Sequence, residues 1–121
     1  MDRARFGATC FRLGAALLLL CALGHGIEIA RISFWASDRT DGFTHYFAVG
    51  LAASALLSLT IATRRRRDPA LLRSAAVANI VWLLPTIGIS FFHWSTAATT
   101  LLGLSAIANA AAFWLLPNDY Y

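Results

Sequence analysis

Four apolar runs dominate the chain, and they leave it few ways to fold. Leu13 to Ala30 lies between Arg12 and Arg31, and Gly42 to Thr63 lies between Asp41 and Arg64. Ser74 to Phe92 follows Arg73, and Ala97 to Leu116 stops at Pro117. Each run is about 18 to 22 residues long. At about 1.5 Å per residue, a helix of that length crosses a hydrocarbon core of roughly 30 Å. Inside lipid every backbone N–H and C=O needs a partner within its own segment, so such a run is helical. The sequence therefore predicts an all-α integral membrane protein, a four-helix up-down-up-down bundle. Residues 1–121 form a single four-span domain with spans near 11–31, 42–63, 70–93 and 97–116.

Composition agrees. Of 121 residues, 59% are hydrophobic and 13% charged, and the mean hydropathy is +0.64; a soluble domain carries about 25% charged residues. All ten basic residues are arginine and the net charge is +4. These arginines sit between apolar runs and not in an aromatic-studded patch, so nucleic acid is not an expected partner. Cys10 and Cys21, eleven residues apart, match neither a CxxC redox pair nor a zinc knuckle and are expected as helix-buried thiols. Arg3, Arg5 and Arg12 before "LGAALLLLCALG" have the outline of a secretory signal. Leu20 is too large for lipoprotein processing at Cys21 and no clean A-x-A site follows, so the first run is expected to be retained as a helix.

Arginine counting gives the orientation. Arg3, Arg5 and Arg12 precede the first span, and Arg64, Arg65, Arg66, Arg67 and Arg73 lie between the second and third. The 31–41 loop holds only Arg31 and Arg39, offset by Asp38 and Asp41. This positive-inside bias puts both termini in the cytoplasm and the 31–41 and 93–96 loops outside. Phe34, Trp35, Phe43, Tyr46, Phe91, Phe92 and Trp94 are expected to form an outer aromatic belt, and Phe6, Phe11, Trp114, Tyr120 and Tyr121 an inner one. The layout resembles small four-span bacterial proteins in general, which implies a multi-pass protein of the cell membrane, specifically the bacterial inner membrane.

Local chemistry marks the helix ends and contacts. Asp68-Pro69 reads as an N-cap followed by a proline at the first helical position, and Ser95 or Thr96 can cap the last helix. Gly50, Ser54 and Ser58 recur every four residues on the second helix, and Ala106 and Ala110 do so on the fourth, which permits close helix approach.

A few polar residues break the apolar pattern. Gly14, Leu18, Cys21, His25, Glu28 and Ile32 share one stripe of the first helix, and ionisable residues in an apolar zone normally face protein or water. Asn79, Trp82, Thr86, Ser90 and His93 share one face of the third helix around Pro85, whose missing N–H predicts a kink beside Trp82. Ser105 and Asn109 lie one turn apart on the fourth helix, and His45 lies near the start of the second. With the N-terminus inside, Glu28 and His25 fall about 5 and 9 Å below Arg31, His45 about 6 Å below Asp41, and His93 at the outer surface. Three helices thus bring titratable groups to one level.

Three functions suit that arrangement. The first is an outward-facing pocket for a hydrophobic small molecule, with Trp82, Asn79, Thr86, Ser90 and Asn109 as binding residues. His25, Glu28, His45 and His93 are its catalytic candidates, since a histidine–glutamate set can exchange protons in isomerase, cyclase or epoxide-opening chemistry. The second is a non-enzymatic membrane module, a subunit of a larger membrane complex or a small homodimeric carrier, in which Asn79, Ser105, Asn109 and Trp82 join helices and Arg64 to Arg67 hold anionic headgroups. The third is a metal or haem site on the histidines; the HxxE spacing matches no ligand signature, so no cofactor and no metal is expected. The lipid bilayer is the one partner common to all three.

Overall fold

The computed structural model describes the backbone of residues 2–35, 42–93 and 96–117, with the side chains of 2–24, 49–92 and 96–117. The described chain is almost entirely α-helical: α1 Arg3–Trp35, α2 Gly42–Arg64, α3 Pro69–His93 and α4 Thr96–Leu115. Three of these contain stretches long and apolar enough to cross a membrane, Arg3–Gly24, Pro69–Phe92 and Thr96–Leu115, while Val49–Arg64 is a shorter apolar stretch. That is compatible with a membrane location.

The helix starts follow from side-chain caps. Asp2 Oδ1 accepts the Ala4 N–H at 3.1 Å, so α1 begins at Arg3, upstream of the expected span. Asp68 Oδ1 accepts the Leu71 N–H at 3.1 Å. Pro69 is the first residue of α3, where its missing N–H has no helical partner to lose. Exposed hydroxyls close onto their own helices: Thr9 donates to Arg5 O, Thr60 to Leu56 O, Thr63 to Leu59 O and Thr100 to Thr96 O. A hydroxyl bonded in this way can face an apolar medium.

Burial differs from that of a water-soluble bundle. The buried side chains include Ser58, Asn79, Thr86, Ser90, Ser105 and Asn109 beside the apolar core, whereas Leu57, Val81, Leu84, Ile107 and Trp114 are each more than 60% exposed. In water, so large an apolar exterior would be a liability; against acyl chains it is the expected surface. Phe6, Phe91, Phe92 and Trp114 are exposed, as aromatic-belt positions require. Phe11 is not a belt residue: it is fully buried, because it stands seven residues before the equally buried Leu18 on the packed face of α1.

All four helices contribute to each of two apolar clusters. Ala8, Phe11, Ala62, Leu72, Ala76, Ala112 and Leu116 form one, and Leu18, Cys21, Leu51, Ala55, Leu83 and Leu102 the other. α1 packs most extensively, against α4 and α2; α3 packs on α4, and α2 and α3 touch sparingly. Small residues set the closest approaches. A Cβ on Gly7 would meet the Leu116 side chain at 2.9 Å, and one on Gly50 would run into the Trp82 ring. Ala110, expected on a packing stripe, is exposed; the packed face of α4 carries Leu102, Ser105, Ala108, Asn109 and Ala112 instead.

α3 runs unbroken through Pro85. Pro85 and Val81 both lie on the exposed face. The backbone bond that proline cannot make, to the Val81 carbonyl, is therefore on the outside of the helix and away from the interior beside Trp82.

Candidate functional site

Between the two apolar clusters lies a layer of hydrogen-bonded polar side chains. Asn79 Nδ2 on α3 donates to Ser58 Oγ on α2 at 2.9 Å and to Asn109 Oδ1 on α4 at 3.1 Å. Asn109 Nδ2 donates to the Ser105 carbonyl at 2.8 Å and lies 3.4 Å from Ser105 Oγ. Ser105 Oγ in turn donates to the Gly14 carbonyl of α1 at 2.7 Å. Four side chains that are at most 6% exposed, with the Gly14 carbonyl, thus connect all four helices.

Gly14 is necessary to this layer. A Cβ built there would stand 2.7 Å from Asn109 Nδ2 and 3.4 Å from the Ala108 Cβ. The absent side chain lets α4 approach closely enough for Ser105 to reach a backbone carbonyl on the neighbouring helix.

Farther along α3 the polar face continues. Thr86 Oγ1 donates to the Trp82 carbonyl at 2.8 Å, within its own helix. Ser90 Oγ donates to the Ile87 carbonyl at 2.8 Å and lies 2.9 Å from Thr99 Oγ1 of α4. The half-buried Trp82 packs its ring against Gly50 of α2. Of the residues read as binding groups, Asn79, Thr86, Ser90 and Asn109 are buried, with Trp82 at their edge. The structure joins Asn79 to Asn109, and places Thr86 and Ser90 one and two turns beyond Trp82.

The side chains of His25, Glu28, His45 and His93 lie outside the described residues, as do Ser95 and Tyr120 and Tyr121 of the expected cap and belt. Among the described residues, no three His, Cys, Asp or Glu side chains gather as metal ligands. Cys10 and Cys21 are free thiols on α1, the second buried.

Arginine chemistry at the other end was read from the sequence only as charge. Arg73 Nη1 donates to the carbonyls of Phe113 and Leu116 at 2.7 and 2.8 Å, and its guanidinium lies 4.1 Å from the centre of the Phe113 ring. Arg3 Nη2 donates to the Trp114 carbonyl at 2.7 Å. α4 has no basic residue in its last turn, so its terminal carbonyls are satisfied by cations from α1 and α3. The missing basic residue was the available clue; which helices supply the donors is a tertiary property. Nearby, Thr63, the four arginines Arg64 to Arg67 and Asp68 line a surface depression of about 330 Å³.

No protein-family model matches the chain, and neither does any curated protein or solved structure compared with it.

Proposed function

We propose that the chain is a multi-pass protein of the cell membrane, specifically the bacterial inner membrane, crossing it four times with α2 as the fourth span. In this reading the helices run up-down-up-down with both termini cytoplasmic. The support is the residue content of the two clusters. Positions 8 and 11 of α1 group with 62 of α2, 72 and 76 of α3 and 112 of α4, while 18 and 21 group with 51 and 55, 83 and 102. Residue numbers rise on α1 and α3 where they fall on α2 and α4.

The function that this arrangement supports best is binding of a hydrophobic small molecule at the end away from the arginine loop. One observation carries it: the seven-residue periodicity of the buried faces. On α1, Gly7, Gly14 and Cys21 are buried at seven-residue spacing, as are Phe11 and Leu18. The next members of those two series are Glu28 and His25. On α3, Leu72, Asn79 and Thr86 are buried, and the next member is His93. In a left-handed bundle such a series stays on the packed face. Counted from the cluster level at Leu18 and Leu83, Glu28 and His93 both stand about 15 Å farther along their helices.

His45 does not share this register. On α2 the buried pairs Leu51 and Ser58, and Ala55 and Ala62, extend back to Thr44 and Ala48. The proposed site is therefore His25, Glu28 and His93, flanked by Trp82, Thr86 and Ser90, with His45 peripheral. A histidine–glutamate set at that level would also supply acid–base chemistry of the isomerase, cyclase or epoxide-opening type.

A second reading, the assembly module, has its own observation. Asn79 Nδ2 donates to Ser58 of α2 and to Asn109 Oδ1 of α4, which supports a role in joining helices over contact with a ligand. Purification in mild detergent followed by mass spectrometry of co-extracted apolar molecules separates the two. The expected result is a small molecule retained by the wild type and by His45→Ala and lost from His25→Ala and Glu28→Ala at equal membrane accumulation. Identical extracts from all four proteins would sink the pocket and leave the module. Orientation is read separately, by labelling single cysteines at Arg39→Cys and Arg66→Cys in a background without Cys10 and Cys21: the impermeant reagent reaches the first and not the second.

A further inference from the structure

Four guanidiniums crowd a short connection whose only acid is already engaged. Arg64 to Arg67 are all exposed, and the 330 Å³ depression they line is closed by Thr63 and Asp68. The connection has a fixed backbone: Arg65 N–H donates to Ile61 O at 2.8 Å, and Asp68 N–H donates to Arg65 O at 3.0 Å. Asp68 Oδ1 caps α3 through the Leu71 N–H, and the Thr63 hydroxyl donates to Leu59 O. Arg3 and Arg73 donate to the end of α4, whereas among the described residues the guanidiniums of Arg64 to Arg67 have no hydrogen-bond or ion-pair partner. The depression is thus a turn of fixed shape carrying four uncommitted cations.

We infer that this depression is a binding site for the phosphate of an anionic phospholipid. The inference rests on the membrane reading above. Guanidinium forks match phosphate oxygens bidentately, which favours an arginine cluster over a diffuse positive surface. The surroundings choose a lipid over a free phosphate. On the helices leaving the depression, Leu56 and Leu57 of α2 are 57% and 62% exposed, and Leu71 and Val77 of α3 are 36% and 42% exposed. α2 and α3 also pack sparingly on one another. A headgroup at the arginines would place its acyl chains against the exposed apolar side chains of these helices.

The test measures lipid binding to the detergent-solubilised full chain by native mass spectrometry. Dioleoylphosphatidylglycerol is compared with dioleoylphosphatidylcholine and with inorganic phosphate as a competitor. The wild type should bind phosphatidylglycerol selectively, and Arg65→Gln with Arg66→Gln should weaken it on the order of thirty-fold, while Arg65→Lys with Arg66→Lys, which keeps the charge and loses the forks, gives a smaller but clear loss. Thermal unfolding of each variant shows that the fold persists. Equal binding of the two lipids, unchanged binding by the glutamine variant, or displacement of the lipid by millimolar phosphate would each overturn the site. Because cysteine labelling reports on orientation independently, loss of selectivity with labelling as expected removes the lipid site and leaves the membrane reading intact.

Discussion

The two apolar clusters and the polar layer between them hold the helices together by different means. The clusters bury leucine and alanine from every helix, with Phe11 of α1. Yet leucines of the same kind cover the outside, with Leu13, Leu20, Leu23 and Leu84 all more than half exposed. Against lipid, moving a leucine from outside to inside gains little, because acyl chains are as apolar as the core. The polar layer differs: in the proposed membrane, Asn79 or Asn109 turned outward would place an amide in hydrocarbon, a penalty of several kcal/mol by the alkane scale. Dispersion packing supplies cohesion in both regions, but the polar layer also selects which helix faces meet and at what height.

That contrast can be tested by substitution, and the largest effect is expected at Gly14. Gly14→Ala adds one methyl group 2.7 Å from an amide nitrogen bonded to Ser105. Overpacking and the displaced hydrogen bonds together should lower stability by about 3 kcal/mol, measured by denaturant titration in mixed micelles. Gly88→Ala and Gly103→Ala, where a Cβ meets nothing within 4 Å, should change it by less than about 1 kcal/mol. Equal losses at all three glycines would show that helix backbone, and not the polar layer, governs the response.

Asn109→Ala comes next. It removes the acceptor of Asn79 and the donor to Ser105, for an expected loss of about 2 kcal/mol. A double-mutant cycle with Asn79→Ala should show a coupling of roughly 0.6 to 1.7 kcal/mol, and additivity would place the two amides in independent roles. The smallest effect is expected from Thr99→Val, which takes away one partner of Ser90 while the bond to the Ile87 carbonyl remains. About 0.6 kcal/mol is anticipated there. A loss as large as that at Asn109 would mean that the polar layer extends farther along α3 than its hydrogen bonds show.

Much of this organisation was legible in the residues. Run lengths announced the helices, because a backbone in hydrocarbon has no alternative to helical bonding. Asp68-Pro69 announced the start of α3, since capping depends only on residues three apart. The polar face of α3 was legible too: Asn79, Thr86 and Ser90 share it by helical period and are buried. The side chains of His25, Glu28, His45 and His93 lie outside the described residues, so their grouping rests on the proposal above.

Other features could not be read in advance. Phe11 looked like a belt aromatic because sequence gives its distance from the charged end but not which neighbour covers it. Pro85 sits in the middle of a polar-faced helix by sequence, yet its side of the helix faces outward, so its missing bond is on the exterior. The partners of Arg3 and Arg73 are carbonyls at the end of α4, 111 residues away for Arg3 and 40 and 43 for Arg73. The sequence by itself determined four helices and the faces that carry polarity, since these depend on periodicity and on the solvent. Tertiary structure alone decided the pairings of Ser58 with Asn79, Asn109 with Ser105, and Ser105 with the Gly14 carbonyl. Such bonds depend on how far one helix slides and rotates against the next, and that is fixed by the packing of all four helices together.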